Sequence, residues 1–112
     1  MTASTIRPER IHIAPKTEIS RALTGLWQVA DIEKDSAVID PEKGAAHLQD
    51  YVAAGFDTFD MADHYGSAEI IAGRLLKHDS DPRPTLLTKW CPPPGAMTAD
   101  IVRAGVQKRL ER

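Results

Sequence analysis

Apolar and polar residues alternate over 10–14 (Arg-Ile-His-Ile-Ala), a period of two that predicts a short strand. Pro15-Lys16 follows as a turn, and 18–23 returns with Ile19 and Leu23. A small hairpin is therefore expected ahead of the main fold, with His12 exposed on it. The run 23–29 (Leu-Thr-Gly-Leu-Trp-Gln-Val) reads as a first core strand entering a loop. Gly25 within it marks a close backbone approach, by a neighbour or by a ligand. Trp27 either fills the core, the reading its size favours, or walls a pocket. The charged loop 31–35 is expected on the surface.

The period then changes. Asp40-Pro41-Glu42 is a helix start: the acid caps, the proline takes the first turn, and the glutamate meets the positive dipole end. Ala45, Leu48, Val52 and Gly55 recur at helical spacing, Gly55 serving as the left-handed stop. An apolar run, 56–60, follows at once as a strand ending in Asp60, which is the helix-to-strand joint of a parallel sheet. Ser67 is placed to cap a second helix, with Glu69 in its first turn, Ile71 and Leu75 as its buried stripe, and Lys77 and His78 near its end. After the polar loop 79–84, residues 85–89 form a third strand ending in Lys89. Pro92-Pro93-Pro94 excludes regular structure beyond it, because three backbone donors are missing. Thr98 then caps a third helix with the stripe Val102, Val106 and Leu110, which reaches Arg112 without a glycine or asparagine stop and so looks cut rather than finished. The pattern gives a hairpin followed by three strand–helix units, with right-handed crossovers between parallel strands.

Composition narrows the class without choosing a function. At 112 residues the chain suits one small domain, and 42% apolar residues suit a packed core. Fourteen basic against sixteen acidic residues, net −2, give no electrostatic case for nucleic acid or an anionic membrane as partner. No apolar run approaches the roughly 20 residues of a membrane-spanning helix. The single Cys91 cannot form an internal disulfide and fits a reducing compartment, so a cytoplasmic location is expected. Residues 1–10 lack the apolar core of a secretory signal and read as a flexible N-terminus, an organellar transit remnant being the alternative. Residues 1–17 are taken as that N-terminus and the hairpin start, and 18–112 as the main fold.

The candidate chemistry lies at strand ends. Asp60, Tyr65 and Lys89 are each at or just past the C-terminal end of a strand, the edge where parallel α/β folds carry their sites. Adjacent strands lie about 5 Å apart, which brings Lys89 to Asp60. A neighbouring ammonium favours a phenolate, and a carboxylate holds the ammonium in place, so the three together make a general acid. On spacing alone, such an acid and lysine are more often a structural ion pair, and such a tyrosine usually packs its ring. His47 reads as a solvated helix residue. No His, Cys and Asp grouping has metal-ligand spacing, and no metal is expected.

The stretch 55–69 (Gly-Phe-Asp-Thr-Phe-Asp-Met-Ala-Asp-His-Tyr-Gly-Ser-Ala-Glu) resembles the signature of the aldo-keto reductase superfamily, and Leu86-Leu87-Thr88-Lys89 its third-strand segment. Leu23-Thr24-Gly25-Leu26-Trp27-Gln28 is similar to its first strand. The resemblance runs from about Ile19 to the C-terminus. It implies a (β/α)8 TIM barrel that uses NADPH to reduce a small carbonyl substrate, an aldehyde or ketone, to an alcohol. It also implies Tyr65 as the acid, Lys89 as the cation that makes it more acidic, and Asp60 as the anchor that touches the nicotinamide ribose. Gly25, Leu26 and Trp27 would border the cofactor, and Trp27, His64 and Trp90 the substrate. Met61 and Leu26 stand where the family often has threonine. Such barrels take about 250 residues, so this chain corresponds to the first three units, with the barrel incomplete. The family's catalytic histidine and phosphate-gripping loops would lie beyond Arg112. The chain alone is then expected to be inactive, with unpaired sheet edges that favour self-association. A non-enzymatic interaction module or a regulatory homologue is the alternative.

Overall fold

A computed structural model describes residues 6–27, 40–78 and 83–112. Strand β1 (Arg10–Ala14) pairs antiparallel with β2 (Thr17–Ser20), Ile11 opposite Ile19. The expected hairpin thus straddles the boundary placed at residue 17. Three further strands, β3 (Thr24–Gly25), β4 (Thr58–Asp60) and β5 (Thr85–Leu87), form a parallel sheet in the order β3-β4-β5. Helices α1 (Pro41–Ala53), α2 (Ala68–Lys77) and α3 (Ala99–Glu111) follow them in turn. Of the sequence expectations, the loop 31–35, Gln28, Val29 and most of 79–84 lie outside the described residues.

Local signals account for most boundaries. Asp40 accepts a hydrogen bond from the Glu42 N–H (3.1 Å), Pro41 takes the first helical position, and Gly55 closes the helix at φ +97°. Ala45, Leu48 and Val52 are buried, as their spacing requires. Gly44 joins them: a Cβ there would stand 3.1 Å from the Ile71 side chain, so the glycine lets α1 approach α2 closely. Ile71, Ala72 and Leu75 of α2 complete the core with Phe59 and Met61. The strands are shorter than their apolar runs, yet the ladder continues past them. Leu26 N–H donates to Asp60 O, Met61 N–H to Leu87 O, and Asp63 N–H to Lys89 O, each at 2.9 Å. The loops after β4 and β5 are therefore held in register as the strands are.

The hairpin seals the other end of the sheet. Arg10 Nη1 donates to the buried Asp57 carboxylate at 2.8 Å, just before β4. The Ser20 N–H donates to Thr58 Oγ1 at 3.1 Å. Leu23, past the end of β2, is exposed.

Helix α3 departs from its sequence pattern. Thr98 caps it as expected, its hydroxyl accepting from the Ile101 N–H at 3.2 Å. The stripe Val102, Val106 and Leu110 nevertheless remains exposed, at 41%, 52% and 75%. The face that docks is the adjacent one, Gly105, Arg109 and Arg112. Its two arginines pair with Glu69 of α2, and Gly105 lies against the Trp90 ring. Ion pairing to a nearly buried carboxylate decides the orientation, and nothing among the described residues covers the apolar stripe. A Cβ at Gly105 would fall 2.6–2.7 Å from three Trp90 ring atoms. Gly105→Ala is therefore expected to destabilise the chain by about 1–2 kcal/mol, since overpacking outweighs the roughly 1 kcal/mol gain in helix propensity. Urea unfolding measures it, and an unchanged midpoint would place Trp90 elsewhere.

Among the described residues no helix is long and apolar enough to cross a membrane.

Candidate active site

The C-terminal edge of the parallel sheet collects the chemistry-bearing side chains. Asp60 ends β4, and Lys89 stands two residues past β5. The Lys89 ammonium donates to both Asp60 oxygens, at 2.9 and 3.1 Å, and to the Met61 carbonyl at 2.8 Å. All three of its protons are thereby accounted for. The hydrogen bond that the ammonium donates to Asp60 raises the Lys89 pKa above the ordinary lysine value. Partial burial works against it, and the charge on Asp60 adds to the rise. The lysine is thus held as a cation, 5.5 Å from the centre of the Tyr65 ring.

Tyr65 is presented by a short, well-anchored loop. Met61 and Ala62 bury their side chains, the Ala62 carbonyl accepts from the Tyr65 N–H at 3.2 Å, and Gly66 makes the exit at φ +52°. The Trp27 ring meets Tyr65 edge-on with centroids 4.8 Å apart, and His64 lies 5.0 Å from Tyr65 and 6.4 Å from Trp27. Trp27 is 40% exposed and so does not fill the core; it walls an open, aromatic-lined edge.

Asp63 ties the two loops together. Its N–H donates to the Lys89 carbonyl, and its Oδ2 accepts the Cys91 N–H, both at 2.9 Å. Burial would push this carboxyl up, but the Cys91 N–H, His64 and Arg109 outweigh it and hold the pKa below the ordinary 3.8. A carboxylate with a depressed folded-state pKa stabilises the fold above its unfolded value and loses that contribution as pH falls through the folded one. Asp63→Asn is therefore expected to cost about 1–2 kcal/mol at neutral pH. The difference from wild type should shrink below about pH 4, where the unfolded carboxylate protonates. Urea midpoints at pH 7 and pH 3 test this, and a difference that grows on acidification would reverse the sign assigned here.

Sequence reasoning named most of this cluster and missed its supports. Asp60, Tyr65, Lys89, Trp27 and His64 come together, with Gly25 paired beside Asp60. Leu26 turns its side chain into the core and offers only backbone, its N–H bonding to Asp60 O. Trp90 packs its ring against Gly105 of α3. Asp63, Thr88, Glu69 and Arg109 had no sequence signal for their roles. Thr88 Oγ1 donates to Glu69 at 2.8 Å, and Arg109 Nε lies 3.0 Å from Glu69 but off the line for a hydrogen bond. A cleft of about 260 Å³ sits among these residues, lined by Glu69, Thr88 and Arg109 rather than by Tyr65 or Lys89. The structure also gathers Asp63, His64 and Cys91, a grouping that the spacing argument against a metal overlooked because loops from adjacent strands converge.

Among the described residues no atom lies within 4 Å of where a Cβ would stand on Gly25. Asp60, half-exposed, keeps acceptor capacity beyond its bonds to Lys89.

The aldo/keto reductase family model matches residues 23–112. A 6-dehydroglucose reductase from Agrobacterium fabrum (strain C58) is 37% identical over 71 residues, 62% of this chain and 23% of the relative. A crystal structure from Pseudomonas aeruginosa, described as an aldo-keto reductase, superposes with a TM-score of 0.70 at 16% identity, covering 99% of this chain and 46% of that one. The chain thus spans less than half the length of the solved neighbour, and its three strand–helix units make an incomplete barrel. With four-fifths of its residues, 23–112, matched by the family model and that fold beneath them, this chain belongs to the aldo/keto reductase family.

Proposed function

We propose that the chain carries the proton-donating part of an NADPH-dependent carbonyl reductase, acting on a small aldehyde or ketone. The supporting observation is the Lys89 ammonium, bound to both Asp60 oxygens and 5.5 Å from the Tyr65 ring centre. The cofactor, when bound, supplies hydride to the carbonyl carbon. Tyr65 gives its hydroxyl proton to the carbonyl oxygen, so that C=O becomes CH–OH. The tyrosinate left behind is stabilised by the adjacent ammonium. Asp60 fixes that ammonium and accepts from a ribose hydroxyl. Gly25 and the Leu26 backbone border the nicotinamide, and Trp27 and His64 shape the carbonyl pocket. Residues 18–112 then serve as the N-terminal portion of the barrel, and the chain by itself does not turn over.

The experiment follows NADPH oxidation with a panel of small aldehydes. Two proteins are compared: the 112-residue chain, and a chimera in which its residues 23–112 replace the matching segment of an intact aldo-keto reductase. The chain is expected to be silent and the chimera active. Turnover by the chain alone, abolished in Tyr65→Phe, would overturn its inactivity. A folded, NADPH-binding chimera that reduces nothing would overturn the assigned roles.

One observation favours a second reading, an association module. The stripe Val102, Val106 and Leu110 on α3 is exposed, and β5 is an outer strand of the parallel sheet. Sedimentation of the chain separates the two: a discrete oligomer dispersed by Val106→Lys supports association, and a monomer opposes it.

A further inference from the structure

We propose that Asp63, His64 and Cys91 form a binding site for a borderline-soft divalent cation, Zn²⁺ above all, at the lip of the edge that carries Tyr65. Three ligand atoms of three kinds, a carboxylate oxygen, a ring nitrogen and a thiol sulfur, lie within 4.8 Å of one another. Imidazole with thiolate and carboxylate is a donor set that suits zinc and is poor for magnesium or calcium. Zinc bonds of about 2.0 Å to nitrogen or oxygen and 2.3 Å to sulfur place the ligands of such a tetrahedral set roughly 3.3–3.5 Å apart. The His64 Nδ1 to Asp63 Oδ1 distance, 3.0 Å, is already near that spacing, and the widest gap needs to close by no more than about 1.3 Å. Rotation of exposed side chains supplies it, since His64 is 56% exposed and Cys91 is at the surface.

The backbone assembles the site before any ion arrives. Asp63 N–H to Lys89 O and Cys91 N–H to Asp63 Oδ2 hold the loops together, although Asp63 and Cys91 are 28 residues apart. The Cys91 N–H, with Arg109 Nη1 at 3.7 Å, occupies Oδ2 and leaves Oδ1 facing His64. Lys89, on the same edge, is paired with Asp60 at 2.9 Å. Three protein ligands leave a fourth position to water, and an ion there would clamp the Tyr65 loop to the segment after Lys89.

The test is spectroscopic and does not depend on turnover, so its failure is distinguishable from failure of the reductase reading. The chain, with its thiol reduced, is titrated with Co²⁺ as a zinc surrogate. Expected is one equivalent bound, with a thiolate-to-cobalt charge-transfer band and tetrahedral visible bands, both removed by Zn²⁺. Cys91→Ser should abolish the charge-transfer band, and His64→Gln should weaken binding by roughly tenfold or more. Both are surface substitutions, and circular dichroism verifies the fold. Absence of the band at saturation would overturn the proposal. So would a band that survives His64→Gln with unchanged affinity, which would mark association with the thiol alone.

Discussion

Tyr65→Phe, placed in the chimera, is expected to slow carbonyl reduction by about 10²–10⁴-fold, the range that a positioned general acid contributes. The substitution removes one oxygen and leaves the ring, so its edge-on packing at 4.8 Å against Trp27 survives. NADPH binding, which this reading gives to Asp60, Gly25 and the Leu26 backbone, should change by less than about threefold, well under the 1.4 kcal/mol that a tenfold change represents. The loss should therefore fall on kcat rather than on cofactor affinity, as for an interaction made only in the transition state. A variant within tenfold of wild type would mean that the proton comes from elsewhere, with water or His64 as the next candidates.

Arg10→Ala is expected to destabilise the chain by about 2–3 kcal/mol, an effect set at the opposite end of the sheet. Asp57 is 2% exposed, and its oxygen Oδ1 accepts from Arg10 at 2.8 Å and from Thr58 Oγ1 at 3.2 Å. Without the guanidinium a buried carboxylate keeps only a hydroxyl partner. Stranding one member of a buried pair typically costs about 3–5 kcal/mol. The figure is reduced here because Arg10 itself is 35% exposed and water can reach the gap. At about 4–8 °C per kcal/mol for a domain of this size, the melting temperature should fall by roughly 10–20 °C. Adding Asp57→Asn should recover part of the loss, since the stranded charge is then gone. A fall of less than about 0.5 kcal/mol in Arg10→Ala would mean that the hairpin does not stabilise the sheet through this pair.

Where a structural feature is local, the sequence carried it. Asp40-Pro41 and Gly55 delimit α1 by capping and dihedral preference, both of which act within a turn. The pairing of Lys89 with Asp60 was legible because the strand ends locate both residues and parallel neighbours are close. Glu69 was read as an ordinary first-turn acid. It is instead the nearly buried partner of Arg109 and Arg112, the latter 43 residues away, and no short-range pattern encodes that distance. The same long-range pairing turned α3 by roughly one face, leaving Val102, Val106 and Leu110 in the open against expectation. For Trp27 the pattern favoured the core while the family resemblance put it at the edge, where it lies beside Tyr65. A large ring after a strand has two homes, core or edge, and the choice rests on Tyr65 and His64, which come from the next loop.

The central claim is that phenol and ammonium act as one device, and the rates of Tyr65→Phe, Lys89→Met and their double variant in the chimera test it most directly. If Lys89 works only through Tyr65, the double variant should be no more than about threefold slower than the worse single one, as for groups that act as a unit. Losses that multiply would mean that the two residues contribute separately, and would contradict this account.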